Sequence, residues 1–355
     1  KSWYHSFREQ KGDKAMKRIV LCFDGTWNKP ADENLQSPQQ IETNVSRFFK
    51  SVADKGPDGT KQVKWYDEGI GTHWYDQFIA GAIGTGLELN IVQGYEFLAK
   101  NYEDGDQVYV LGFSRGAYTA RSLVGMVRNC GVVEPKHVAL RVGIAYGIYR
   151  TREDGPDSIT AKLFRSSFCR EIRIKFVGVW DTVGALGIPH DIVKDVNMKF
   201  YEFHDTELSS IVENAYHAAA VDEHRQDYDV CLWNPRSKPG QTMEQRWFVG
   251  AHSDVGGGYA DRRLSDLPLR WMQDKASALG LGLTPVALGS ENYRGPFTDS
   301  YMKFLKGLYA KKNPRHYRAI GATRFGNEAV DDSVQQRRKT DPSYEPQNNG
   351  LPKLT

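Results

Sequence analysis

The segment VYVLGFSRGAYTAR at residues 108–121 constrains the fold of this chain more than any other stretch. Its first four residues are β-branched, aromatic or aliphatic, as in a buried strand, and the apolar positions 117, 120, 124 and 127 have helical spacing. Ser114 therefore lies at a strand-to-helix turn, inside the pattern G-x-S-x-G, whose glycines let neighbouring backbone approach closely. This context predicts a nucleophilic serine at a sheet edge, against the simpler interpretation of a serine that only caps a helix.

Strand-like and helix-like segments alternate along the rest of the chain. The predicted strands are 17–23, 63–66, 108–111, 172–180 and 246–251, and the predicted helices are 41–52, 87–98 and 208–219. This alternation predicts an α/β fold with a mostly parallel sheet and helices on both of its faces.

We expect a single domain over residues 16–355 with a polar C-terminal tail. Residues 1–15 have no periodicity and are interpreted as an N-terminal extension, with Met16 as the natural start. The stretch 184–220 has room for a small cap or loop insertions only, and the Pro- and Asn-rich residues 322–355 predict an extended tail packed on the surface. The glycine- and aromatic-rich segment 69–86 predicts a loop with short helices close to the site.

Composition excludes several classes of protein. The 47 basic and 44 acidic residues give a net charge of only +3, without long blocks of like charge, so nucleic acid is not an expected partner. The four cysteines form no C-x-x-C pair, so we expect neither a zinc site nor a disulfide framework, and we predict no metal or other cofactor. No apolar run is long enough for a transmembrane segment. We expect a cytoplasmic protein, with export by a signal-peptide-independent secretion system as the alternative.

A nucleophilic serine needs a histidine as its base, and nine histidines are available. Only His252 directly follows a strand-like run, in VGAHSDVGGGY, where three consecutive glycines indicate a tight turn. His217 is the rival, and it points away from the apolar face of the predicted 208–219 helix, toward solvent or an outer contact. We therefore predict His252 as the base.

The histidine in turn needs an orienting acid. Asp181 ends a predicted strand and gives the chain order Ser, Asp, His that is typical of hydrolases with this turn. Asp254 is the competitor, with bracing of the glycine-rich turn as its other interpretation. We predict Asp181 as the acid.

An oxyanion also needs backbone donors. The amide of Arg115, at the start of a helix, is the first candidate. The second donor is expected in the loop after an early strand, where the amides of Gly25 and Thr26 are available. Asp24 is interpreted as the residue that orients this loop through hydrogen bonds to its backbone.

Five segments together resemble a known family: CFDGTWN (22–28), YEDGDQVYVLGFSRGAYTARSLVGMV (102–127), FVGVWDTVGALG (176–187), HAAAVDEHR (217–225) and WFVGAHSDVGGGY (247–259). They are similar, in this order, to the α/β-hydrolase family of uncharacterised bacterial and fungal proteins that includes the type VI secretion phospholipase effectors. The similarity runs from about residue 17 to 350, with DSVQQRR and YEPQN near its end.

This resemblance implies an α/β-hydrolase-like fold and a serine esterase, lipase or phospholipase activity. The family's serine falls on Ser114, its strand-end acid on Asp181 and the histidine of its HSDVGGGY block on His252. The implied substrate is a small-molecule or lipid ester, cleaved through an acyl-enzyme without a cofactor.

Two other functions stay open at this point. Asp24, Asp181, His252 and Asp254 could converge on a cation in a metal-dependent phosphoesterase, although Cys22 occupies the position where such phosphatases carry their nucleophile. A non-catalytic binding protein on a hydrolase scaffold is the second alternative.

Transient membrane-surface contact is also considered. A cluster of Trp74, Tyr75, Phe78 and Ile79 is interpreted either as core or as an interfacial lip beside the site.

Overall fold

The computed structural model describes residues 15–25, 42–69, 85–151, 153–183, 207–234, 239–323 and 327–354. Its strands are β1 (Arg18–Phe23), β2 (Gln62–Asp67), β3 (Gln107–Phe113), β4 (Val132–Val133), β5 (Cys169–Arg170), β6 (Phe176–Trp180), β7 (Asn214–Ala220), β8 (Thr242–Phe248) and β9 (Glu328–Val330). Its helices are α1 (Asn44–Ser51), α2 (Thr85–Asn101), α3 (Arg115–Cys130), α4 (Val138–Arg150), α5 (Ile159–Phe168), α6 (His252–Gly256), α7 (Arg263–Ala278), α8 (Ser300–Lys303), α9 (Leu308–Lys312) and α10 (Asp332–Thr340).

Seven strands form one sheet in the order β2-β1-β3-β6-β7-β8-β9, and every neighbouring pair is parallel. The short strands β4 and β5 form a separate antiparallel pair. The predicted α/β fold with a mostly parallel sheet is confirmed.

Alternate residues of the inner strand β1 face two different cores. In β1, Ile19 and Leu21 belong to the core that contains α2 and α3, whereas Val20 and Cys22 belong to the core that contains α1 and α7. Strands covered on both faces are apolar at successive positions, which explains why KRIVLCF reads as one continuous hydrophobic run. The predicted helices on both faces of the sheet are therefore present.

The order in which the chain adds strands to the sheet determines where a ligand site can lie. From β1 the chain moves to β2 on one side and then returns to β3 on the other side, so the direction of winding reverses between β1 and β3. Ligands of open parallel sheets bind at the carboxyl ends of the strands, where such a reversal leaves a crevice. Gly25 and Ser114 follow these two carboxyl ends.

One predicted element has the wrong secondary structure. The spacing predicts a helix over 208–219, but residues 214–220 are the interior strand β7, which pairs with β6 and β8. The apolar residues match a helical period by coincidence, because a strand buried on both faces needs no alternation and tolerates the small residues of AYHAAA. His217 is consequently buried in the sheet and does not point to solvent.

The C-terminal region also differs from the prediction of an extended tail. Strand β9 pairs with β8 at the edge of the sheet, and α10 follows it directly. Val334 and Tyr344 are buried in a small third core with Trp247. The polar composition of this region conceals the few apolar side chains that attach it to the sheet.

Several predictions concern residues outside those that the structure describes. These are the N-terminal extension up to residue 14, most of the 69–86 segment with Trp74, Tyr75, Phe78 and Ile79, and residues 184–206 of the predicted cap. Within the described residues, no helix combines the length and the apolar character required to span a bilayer.

Candidate active site

Ser114 occupies a sharp turn between β3 and α3, with backbone angles φ 57° and ψ −121°. A non-glycine residue rarely adopts a positive φ, and such strained positions concentrate at functional sites. The backbone N–H of Ser114 donates to the carbonyl of Trp180 at 3.1 Å, which ties the turn to the end of β6.

The two glycines that flank Ser114 are required by close packing. A Cβ atom at Gly112 would lie 2.4 Å from the carbonyl oxygen of Gly116, and one at Gly116 would lie 2.2 Å from the carbonyl oxygen of Phe23. Neither position can hold a side chain without displacing backbone. The G-x-S-x-G pattern thus has the steric cause expected from the sequence.

Three predicted side chains form one hydrogen-bonded chain. His252 Nε2 lies 2.9 Å from Ser114 Oγ, and His252 Nδ1 lies 2.5 Å from Asp181 Oδ2. Because a carboxylate only accepts, Nδ1 carries the proton and Nε2 is the acceptor for the serine hydroxyl. All three side chains are buried at the carboxyl end of the parallel sheet, where β3, β6 and β8 end.

Two aromatic rings contact the imidazole of His252. Its centroid lies 4.7 Å from that of Phe113 and 5.3 Å from that of Tyr228. Its backbone N–H donates to Oε2 of the fully buried Glu223 at 3.3 Å. Packing against the tilted ring of Phe113 and the edge-on ring of Tyr228 therefore restricts the imidazole, while the backbone contact fixes the start of α6.

Asp181 is a buried carboxylate with an unusual set of donors. In addition to His252, it accepts hydrogen bonds from the backbone N–H of Ala220 at 2.9 Å and from Arg318 Nη1 at 2.6 Å and Nη2 at 3.1 Å. Burial alone would raise the pKa of Asp181, but the charge of Arg318 and the hydrogen bonds from His252 and Arg318 outweigh it and hold the pKa well below its ordinary value. Asp181 is thus a carboxylate at neutral pH.

Arg318 is the principal residue of this cluster that the sequence did not indicate. Its guanidinium is buried and also donates to the carbonyl oxygens of Ala220, at 2.8 Å, and Tyr228. It lies in the stretch RHYRAIGATRF, which carries no motif, and it meets Asp181 only because the chain returns to the sheet after α9. No local signal distinguishes it from the neighbouring arginines.

The competing acid, Asp254, has a different environment. Its Oδ2 accepts the backbone N–H groups of Ala251 at 3.0 Å and Thr298 at 3.3 Å. Burial raises the pKa of Asp254 to about 7, and the two backbone hydrogen bonds offset only part of this effect. Asp254 therefore braces the turn that carries His252, whereas Asp181 contacts the imidazole itself.

His217, the rival histidine, lies beside the acid and not beside the serine. Its Nε2 accepts the backbone N–H of Thr182 at 3.1 Å, next to Asp181, and its ring packs edge-on against Trp233. Burial, reinforced by the charge of Arg121, lowers the pKa of His217 to about 3, so the ring is neutral. Its hydrogen bond with Thr182 holds the start of the loop that follows β6.

The loop after β1 approaches the serine closely. The position of a Cβ atom on Gly25 would be 3.5 Å from Ser114 Cβ. The Gly25 N–H donates to Asp24 Oδ1 at 2.7 Å, and Asp24 Oδ2 accepts the hydroxyls of Thr43 and Tyr66. Asp24 thus holds this loop in place, and the Gly25 amide already has an acceptor. Thr26 lies outside the described residues.

Arg115 is the first residue of α3, so its N–H belongs to the group of four amides that open a helix without partners inside it. The helix dipole adds partial positive charge at the same point. The side chain of Arg115 is buried, and burial lowers its pKa to about 10.

The acidic residues of the site do not assemble as metal ligands. Asp181 is paired with Arg318 and Asp254 with two backbone amides, and in the described part of the chain no three His, Cys, Asp or Glu side chains are grouped so that they could hold a metal ion. The convergence required by the phosphoesterase interpretation is not found among Asp24, Asp181, His252 and Asp254.

Comparison with known proteins gives matches over most of the chain. The model of the family described as T6SS, phospholipase effector Tle1-like, catalytic domain, matches residues 17–275. The uncharacterised protein YEL023C of Saccharomyces cerevisiae is 31% identical over 243 residues, which are 62% of this chain and 33% of the yeast protein. The chain therefore spans about a third of the length of that relative.

Two solved structures are similar to the chain. An uncharacterised protein from Pseudomonas aeruginosa has 19% identity and a TM-score of 0.44, over 77% of this chain and 47% of that one. The Tle1 effector, solved bound to the VgrG spike of the type 6 secretion system, has 20% identity and a TM-score of 0.38, over 70% of this chain and 52% of that one.

Proposed function

This chain belongs to the Tle1-like phospholipase effector catalytic-domain family, and from that premise we propose that it is a serine ester hydrolase that cleaves a lipid or phospholipid ester through an acyl-enzyme. The single observation that carries the mechanism is the chain of contacts from Asp181 Oδ2 through both nitrogens of His252 to Ser114 Oγ, at 2.5 and 2.9 Å. The lipid class of the substrate is supported by the family alone.

The reaction follows from the protonation states in this chain. Ser114 Oγ attacks the ester carbonyl while its proton moves to His252 Nε2, and Asp181 stabilises the imidazolium through Nδ1–H. The imidazolium then protonates the leaving alkoxide, which departs and leaves an acyl group on Ser114. A water molecule, deprotonated by His252, attacks this ester and releases the acid and the free serine.

The negative charge on the carbonyl oxygen needs donors that are fixed in advance. The N–H of Arg115 is the first, since it opens α3 beside Ser114. A second donor comes from the loop after β1, from Gly25 or Thr26. The Gly25 amide would exchange its bond to Asp24 for one to the oxyanion.

Labelling with a fluorophosphonate, followed by peptide mapping, tests the nucleophile. We expect the label on Ser114 in the wild type and none in Ser114→Ala, with hydrolysis of p-nitrophenyl esters lost in parallel. The Ser253→Ala variant is the matched control, because Ser253 is adjacent to His252 and more exposed than Ser114. Full activity of Ser114→Ala would refute the mechanism. A panel of phospholipids against soluble esters then tests the substrate class.

A further inference from the structure

Residues 300–312, comprising α8, a 3-10 turn and α9, have an unusual outer face. Met302, Leu305 and Leu308 are 53%, 47% and 57% exposed, so three large apolar side chains meet water within seven residues. Single exposed apolar residues are common, but a group of them marks an interaction surface. Leu305 and Lys306 also have positive φ angles of 51° and 55°, which non-glycine residues rarely adopt.

The inner face of the same segment is fixed to the body of the protein. Tyr301 and Tyr309 are buried and pack edge to face, with ring centroids 6.0 Å apart. The hydroxyl of Tyr301 donates to the carbonyl of Asn313 at 2.7 Å, which links the two ends of the segment. Ser300 Oγ donates to Glu223 Oε2 at 2.9 Å, which joins the segment to the rest of the protein. The exposed side chains of Met302, Leu305 and Leu308 therefore project from a segment whose inner residues are held by packing and hydrogen bonds.

Two residues that contact the inner side of this segment also contact the proposed active site. Glu223 Oε2, which accepts from Ser300, also accepts the backbone N–H of His252. The ring of Phe304 lies 5.8 Å from that of Tyr228, which in turn lies 5.3 Å from the imidazole of His252. The 300–312 segment thus borders the serine site through two successive side-chain contacts.

All the charged side chains of the 300–312 segment are basic. Lys303, Lys306, Lys311 and Lys312 are all exposed, and no acidic residue occurs between positions 300 and 312. None of these ammonium groups is ion-paired with a carboxylate in the described parts of the chain. The exposed side chains of the segment therefore combine three large apolar groups with four basic ones.

We propose that the 300–312 segment docks the protein onto an anionic phospholipid surface. Met302, Leu305 and Leu308 enter the boundary between headgroups and acyl chains, and the four lysines bind headgroup phosphates. A protein partner would have to supply carboxylates to all four lysines around an apolar centre, whereas an anionic bilayer offers both chemistries together at any point of its surface. The role of this docking in catalysis rests on the proposed function, because docking through this segment brings the Ser114 site next to a lipid ester.

Vesicle flotation of the full chain tests the docking surface. We expect the wild type to float with vesicles of phosphatidylcholine and phosphatidylglycerol, and less with phosphatidylcholine alone. Leu305→Asp with Leu308→Asp should weaken binding about 100-fold, at roughly tenfold for each leucine. Lys303→Gln with Lys306→Gln should weaken binding to the anionic vesicles about 30-fold and reduce the preference for them, since Lys311 and Lys312 remain.

The control is Leu140→Asp with Ile144→Asp, a second apolar pair on α4 that is 78% and 44% exposed, and its binding should equal that of the wild type. Because all the altered side chains are exposed, each variant should keep its thermal stability and its turnover of a soluble p-nitrophenyl ester. Wild-type protein that does not float, or a Leu305 and Leu308 variant that floats normally, would overturn the docking proposal. Vesicle binding without any ester turnover would instead overturn the proposed function and leave the docking intact.

Discussion

Arg318 Nη1 lies 2.6 Å from Asp181 Oδ1, and neither side chain is accessible to water. Arg318 Nη2 also donates to Asp181 Oδ2 at 3.1 Å, and this is the oxygen that contacts His252 Nδ1. Asp181 thus stays ionised in spite of its burial, and the orientation of the imidazole depends on a residue that never reaches the serine.

Loss of this ion pair should destabilise the fold strongly. Removal of one partner of a buried ion pair leaves the other charged and unsolvated, so we expect Arg318→Met to lower the free energy of unfolding by about 3–5 kcal/mol. Arg315→Met is the control, because its half-buried pair with Asp299 should contribute less than about 1 kcal/mol. Urea unfolding measures both, and equal losses in the two variants would contradict the argument.

The identity of the acid can be tested by comparing two carboxylates. Asp181→Asn should reduce kcat about 10⁴-fold, because an amide in place of the carboxylate favours the wrong tautomer of His252. Asp254→Asn removes a carboxylate that contacts only backbone amides and should not cause a comparable loss. Steady-state kinetics on a soluble ester measures the difference, with thermal unfolding as a check on folding. A larger loss in the Asp254 variant would exchange their roles.

The raised pKa of Asp254 predicts a pH dependence of stability. Between its ordinary pKa of 3.8 and its folded value of about 7, the folded protein retains a proton that the unfolded chain has released. This group therefore makes the free energy of unfolding fall as the pH rises through that window, by up to about 1.4 kcal/mol per pH unit. Asp254→Asn should flatten this slope in urea unfolding between about pH 5 and pH 8. An unchanged slope would show that Asp254 ionises normally.

The turn around Ser114 gives a steric prediction. A Cβ atom at Gly116 would collide with the carbonyl oxygen of Phe23, so we expect Gly116→Ala to cost about 1–3 kcal/mol and to abolish fluorophosphonate labelling. Gly143→Ala is the matched control, because nothing lies within 4 Å of its added methyl group. In that exposed helical position alanine should stabilise the protein by about 0.5–1 kcal/mol. Normal labelling of the Gly116 variant would show that the turn can adjust.

Local sequence pattern predicts those parts of this structure that depend on local rules. Ser114, Asp181 and His252 each follow the end of a parallel strand, and the carboxyl ends of parallel strands meet at one edge, so order along the chain suffices to bring them together. Strand β7 was missed because a strand buried on both faces needs no alternation, and its alanines fit a helix equally well.

Arg318 could not be found by the same reasoning. It meets Asp181 through a contact that spans 137 positions, and its own neighbours in sequence resemble any polar surface segment. The protonation behaviour of Asp254 and His217 was equally hidden, because it depends on burial that only the assembled sheet creates.

The distance along the chain between Asp181 and Arg318 has a consequence for biosynthesis. At roughly 5–20 residues per second, a ribosome adds the 137 residues that follow Asp181 up to and including Arg318 in about 7–27 s. During that interval Ser114, Asp181 and, later, His252 have already been synthesised, while the cation that secures the acid has not. A nascent chain therefore contains every reacting group of the proposed hydrolase before it contains the arginine that orients the acid. Esterase activity should begin only after Arg318 has left the ribosome.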